Sequence, residues 1–263
     1  MKANLMQRLF IVVLAATLGA CASMKSESPA QAPKGAAGGG NLASALASAD
    51  RPAEDKTRDA DRKPAELMQF FGVKPGMTTV DIIALGGYVT EVLSVAVGPN
   101  GKVYAQNPPI ALQLRDGMYA KQITDRLAAG RLKNVVRVDA DLPASAQIPP
   151  GSVDVAITAM NYHDVRNRNP DDGVKFLKAI YSMLKPGGVL GVTDHVGNDG
   201  ADNAQLHRIP QHFLIDDAKA AGFVVDGESD ILAHAADDHT KMVFDPTLRG
   251  KTDQFVVRLR KPK

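Results

Sequence analysis

One cysteine and no tryptophan occur among the 263 residues, and aromatic side chains make up only 5% of them. A lone cysteine excludes an intramolecular disulfide and a thiolate-rich zinc centre. Long hydrophobic runs are also missing. The longest, Leu9 to Leu18, is about half of the roughly 20 residues that a helix needs to cross a bilayer. No excess of one charge stands out, with 31 basic against 29 acidic side chains. No His pair at i, i+4 and no compact carboxylate cluster is present, so no metal is expected. What remains, 44% hydrophobic and 23% charged residues, suits one globular domain and argues against a disordered, collagenous or coiled-coil chain.

The single cysteine, Cys21, sits at an informative place. Lys2 and Arg8 precede the apolar run, and Leu18-Gly19-Ala20 leads into the cysteine, the layout of a secretory signal. Its end resembles the lipobox of bacterial lipoproteins, in which the cysteine is acylated and becomes the new N-terminus. An ordinary signal peptide cleaved near a cysteine is the other reading. Position 22 is Ala rather than the Asp that in this class tends to retain lipoproteins in the inner membrane. The resemblance therefore implies a lipid anchor at Cys21 on the periplasmic side of the outer membrane. Losing residues 1–20 takes away Lys2 and Arg8 and no acid, so 31 basic side chains fall to 29 against 29 acidic ones. Such a balance gives nucleic acid nothing to be drawn to.

Residues 21–50 are rich in Ala, Ser, Gly and Pro and are expected to be the lipidated cysteine and a flexible linker, with the folded domain at 51–263. The densely charged segment 51–62 reads as a solvated helix face, or as a piece that folds over a ligand. Beyond it, short apolar runs at 78–85, 102–106, 134–138, 153–158, 189–193, 223–225 and 254–259 read as strands. Helical stretches are expected at 65–71, 88–97, about 118–129, 174–184 and 209–221. Strands alternating with helices imply a doubly wound, mostly parallel sheet, in which ligands bind beyond the carboxyl ends of the strands.

Asp81-Ile-Ile-Ala-Leu-Gly-Gly-Tyr88, Gly101-Lys-Val-Tyr-Ala105, Gly151-Ser-Val-Asp-Val155 and Leu184-Lys-Pro-Gly-Gly188, in this order, resemble class I S-adenosylmethionine-dependent methyltransferases. Asn161-Tyr-His-Asp164 is similar to a stretch in secreted or lipoprotein members found in bacteria. The resemblance implies a seven-stranded Rossmann-like sheet, S-adenosylmethionine as cofactor and an unidentified small-molecule methyl acceptor. It places the cofactor at Asp81, Gly86, Gly87, Tyr88, Asn107, Asp141 and Asn161. Asp139 and Asp141 have a second reading as a solvated loop.

Two departures from the pattern bear on affinity. Ile83 and Leu85 stand where the family has the first two glycines of its loop, and Gln106-Asn107 stands where an acidic residue holds the ribose. A branched side chain is costly if the backbone there needs φ > 0. An amide still bonds a hydroxyl but lacks the charge-assisted bond. His163 is the natural base beside the acceptor, with Asp164 to orient it. Asp194-His195 and His207-Arg208 are either acceptor contacts or structural. The polar run 237–253 is either a lid or a long connection between strands. A non-catalytic binding protein on the same scaffold is the alternative function.

Overall fold

The computed structural model describes residues 39–263, so residues 1–38, including Cys21, lie outside the described residues. The elements run α1 (Gly39–Ser48), α2 (Ala53–Arg62), α3 (Pro64–Phe71), β1 (Thr78–Ile82), α4 (Tyr88–Val97), β2 (Lys102–Asn107), α5 (Pro109–Ala128), β3 (Val135–Asp139), β4 (Val153–Ala159), α6 (Tyr162–Arg168), α7 (Pro170–Met183), β5 (Leu184–His195), α8 (Asn203–Leu206), α9 (Gln211–Ala220), β6 (Val224–Ser229) and β7 (Gln254–Arg260). The strands form one seven-stranded sheet in the order β3-β2-β1-β4-β5-β7-β6. Every pairing is parallel except those of β7, which runs antiparallel to β5 and to β6. The expected fold class is the one observed.

Central strands read as near-continuous apolar runs because helices cover both faces. On one face Val80, Ile82 and Leu190 pack with Leu177 and Ile180 of α7 and Leu214 of α9. On the other, Val155 and Ile157 pack with Phe71 of α3 and Val92 and Leu93 of α4. Gly191 of β5 admits this second layer, since a Cβ there would lie 2.7 Å from the Phe71 ring. The order reverses between β1 and β4, which opens a crevice at their carboxyl ends.

Several boundaries differ from the sequence reading. Ordered structure begins before Arg51, because the end of the stretch expected as linker folds as α1, with Leu46 2% exposed and Leu42 beside it in the second core. Leucines at i, i+4 make one stripe, enough to seat a short helix. β1 stops at Ile82 instead of running to 85, since the backbone turns left-handed at Ile83. α5 starts at Pro109, well before 118, and kinks across Leu114–Gly117 with Arg115, Asp116 and Gly117 all left-handed. The Lys185-Pro-Gly-Gly188 stretch does not end the pairing. It is taken into β5, which shifts register against β4 between Val153 and Val155.

Candidate active site

The crevice encloses about 570 Å³ and is walled by the loop after β1, by α2, by α5 and by the end of β4. Asp81, the penultimate residue of β1, is one of the residues that line it, although it is only 2% exposed. The Thr90 hydroxyl of α4 donates to Asp81 Oδ2 at 2.6 Å. Burial disfavours the ionised form and outweighs that bond and the Arg126 charge, so the Asp81 pKa is pushed up to about 7.

The loop after β1 has the backbone of a glycine loop without all of its glycines. φ is +56° at Ile83, +49° at Leu85 and +84° at Gly87. The left-handed turns therefore fall on the two substituted positions, where a side chain is strained. The amides of these two left-handed residues are already used: Ile83 N–H donates to Gln106 Oε1 at 3.1 Å and Leu85 N–H to Asn107 Oδ1 at 2.7 Å. Gln106 and Asn107, both buried, thus brace this loop from beneath instead of facing the crevice. Asn107, assigned to the ribose from the sequence, is spent on the loop.

Gly86 and Gly87 line the crevice, but their small size first serves packing. A Cβ on Gly86 would collide with the Gln122 side chain of α5, and one on Gly87 would lie 2.7 Å from Ile123. Tyr88 also lines the crevice, and its hydroxyl donates to Asp59 of α2 at 2.7 Å. The guanidiniums of Arg51, Arg58 and Arg62 stand 5.7, 5.0 and 4.7 Å from its ring centre. Asn161 lines the opposite side, its Nδ2 donating to the Ile82 and Ile83 carbonyls at 3.4 Å. Asp141 is exposed and not part of the crevice wall, so the structure keeps it apart from the other assigned residues.

The charged 51–62 segment, read from the sequence as a solvated helix face or as a piece that folds over a ligand, lies along the crevice. α2 closes one side of the crevice, held by Arg126 of α5, which pairs with buried Asp55 at 2.7 Å, with buried Glu91 of α4, and through Nε with the Gly86 carbonyl at 2.8 Å. Arg131 pairs with the same Glu91. The high charge density of 51–62 was the visible signal.

His163, 4% exposed, lies in the first turn of α6. Its orienting partner is Asp194 at the end of β5, not Asp164. Asp194 Oδ1 lies 2.7 Å from His163 Nδ1, and its Oδ2 accepts the His163 backbone N–H at 2.8 Å. Asp164, exposed, approaches the other ring nitrogen at 3.3 Å. Burial opposes a charge on the ring, but the two carboxylates prevail and raise its pKa to about 10. The two carboxylates thus favour the protonated ring in this arrangement, and any group that takes Nε2 as an acceptor must first displace its proton. His195 is pushed the other way, to about 4, by burial, and its Nδ1 lies 2.9 Å from the Thr252 hydroxyl. Arg208 is fully buried and structural: it forms a two-pronged pair with Asp237 at 2.9 and 3.0 Å. That pair pins the long connection between β6 and β7. The expectation of no metal set rested on chain spacing; the fold brings His207 to His163 and Asp164, with one ligand atom of each within 4.8 Å of the others.

No family model matches the chain, and no curated protein matches it. Solved structures do. A SAM-dependent methyltransferase from Aquifex aeolicus is similar with a TM-score of 0.57 and 21% identity, over 81% of this chain and 100% of that one. The (4+2)-cyclase SpnF gives 0.56 and 20%, over 77% and 81%. A possible exported protein from Bordetella parapertussis gives 0.51 and 15%, over 79% and 68%. At such identities the likeness is one of fold, the Rossmann-like α/β fold of class I methyltransferases. A cyclase among the neighbours illustrates that this fold alone does not fix a reaction.

Proposed function

We propose that the chain binds S-adenosylmethionine in the crevice at Asp81 and transfers its methyl group to a small-molecule acceptor, acting as a lipoprotein on the periplasmic side of the outer membrane. One observation carries this reading: a buried carboxylate at the carboxyl end of β1 walls a cavity of about 570 Å³ at the switch point of a class I methyltransferase sheet. The cavity is of the size that small-ligand sites have. The cofactor fits at its amino-acid end, where a buried carboxylate suits an ammonium group. When bound, it supplies a methyl group on a sulfonium, open to in-line attack. The chain's own part is then to bind and to position, with Asp81 on one side and Asn161 on the other.

A specific observation favours a second reading, a ligand-binding protein without turnover. Gln106 and Asn107 are occupied by the loop, so no acidic residue from the end of β2 faces a ribose.

Calorimetry separates the two. Asp81, with a pKa near 7, is about half protonated at neutral pH, and a cation beside it favours its ionised form. Binding of S-adenosylmethionine at pH 7 is therefore expected to release a fraction of a proton, read as a difference in heat between phosphate and Tris buffers. No heat at millimolar cofactor sinks the methyl-transfer reading. Binding with no product from any tested acceptor favours the second.

A further inference from the structure

We infer that His163, Asp164 and His207 form a binding site for one zinc ion, beside the crevice and independent of what the crevice holds. The three come from separate places: the first turn of α6 supplies His163 and Asp164, and the residue that closes α8 supplies His207. Asp164 Oδ1 is the hub, 3.3 Å from His163 Nε2 and 3.2 Å from His207 Nδ1. A tetrahedral zinc with bonds of about 2.0–2.1 Å holds its ligand atoms about 3.3 Å apart, which these two separations match, while the two histidine nitrogens lie within 4.8 Å of each other. The imidazole rings stand nearly perpendicular, at 84°, with centres 5.5 Å apart.

The support behind His163 is of the kind that metal ligands have. Its Nδ1 is tied to Asp194, whose oxygens also accept the backbone N–H groups of His163 and His195. With the wholly buried Asp194 fixed in this way, the ring is oriented and Nε2 is left to face Asp164. A carboxylate behind a ligating histidine sets its tautomer and basicity. Two imidazoles and one carboxylate also make the ligand set of zinc sites that keep a fourth position open. Here that position has solvent access, since the Asp164 side chain is 62% exposed and that of His207 35%. The open position suits an anionic oxygen or sulfur donor, and two of the ligands, His163 and Asp164, follow Asn161 of the crevice wall by two and three residues.

The test uses the purified full chain, stripped with chelator, dialysed and titrated with zinc chloride against a metal indicator, with bound metal counted by elemental analysis. One zinc per chain is expected. Asp164→Ala and His207→Ala should each weaken binding at least about 10-fold, and Asp194→Asn about 10- to 100-fold. His212→Ala, an exposed histidine elsewhere, should leave it unchanged. Asp194 is buried and its variant can fail to fold, whereas Asp164 is exposed, so circular dichroism on Asp164→Ala keeps the test decisive. No retained zinc at micromolar concentrations overturns the site, and so does folded Asp164→Ala or His207→Ala protein that binds as the parent does.

Discussion

Asp81 joins sequence and site most directly: one carboxyl at the end of a buried strand, lined up with a hydroxyl from the next helix and held near neutrality by its burial. Its folded pKa, about 7, is above the ordinary 3.8. A raised acid contributes stability at low pH, and that contribution is lost as pH rises from about 4 through 7. His195, lowered to about 4, works against this in the same window, since a histidine kept neutral by the fold loses stability as pH falls below its ordinary 6.5. The parent protein therefore hides both effects, and the difference between it and Asp81→Asn isolates one. Urea unfolding should show Asp81→Asn gaining on the parent as pH rises from 4 to 8, by up to about 1.4 kcal/mol per pH unit. A difference that stays flat would mean that Asp81 is not held protonated. The neighbouring loop shows how much one residue can reveal: Ile83 and Leu85 read as ill-suited to a left-handed turn, and both adopt one, at φ +56° and +49°.

Among the elements, α2 depends most on charge. Its mean character is strongly polar, and it stays on the domain through buried Asp55 and the Tyr88–Asp59 bond rather than through an apolar stripe. Arg126→Met leaves Asp55 without its closest cation and Glu91 with Arg131 alone. Removing one partner of a buried pair costs about 3–5 kcal/mol, because the other charge stays buried. Urea unfolding should show a loss of this order, and hydrogen exchange should rise over residues 53–62 well before it rises in the central strands. Exchange that rises equally everywhere would show that α2 is held by other contacts. The strands were legible because apolar runs buried on both faces are continuous in the chain. α1 was not, since two leucines in an Ala- and Ser-rich stretch fall short of a pattern. Nor was the environment of His163: Asp194 lies 31 residues away from it, and His207 lies 43 from Asp164. Spacing rules are silent at such distances: the pairing of β4 with β5 brings Asp194 to His163, and the bridge of Val196 to Ile209 returns the chain that carries His207.

For the molecule as a whole, the question is what would hold it at a membrane. Among the described residues no helix is long and apolar enough to cross one. With residues 1–20 removed, as the proposal has it, the basic side chains would number 29 and so would the acidic ones, which would leave no general attraction to an anionic lipid surface. The proposed anchor must then act through its acyl chains alone, each buried CH2 contributing about 0.8 kcal/mol. Attachment of that kind responds to detergent and not to salt, and it hinges on one sulfur atom. In cell fractionation the parent chain should stay with the outer membrane through a molar salt wash, while Cys21→Ser should leave the membrane fraction, and mass spectrometry of the parent's N-terminal peptide should find the acyl mass on Cys21. A Cys21→Ser chain that remains with the membrane would place the attachment elsewhere. It would also remove the main reason to think that the crevice works outside the cytoplasm, where S-adenosylmethionine is made.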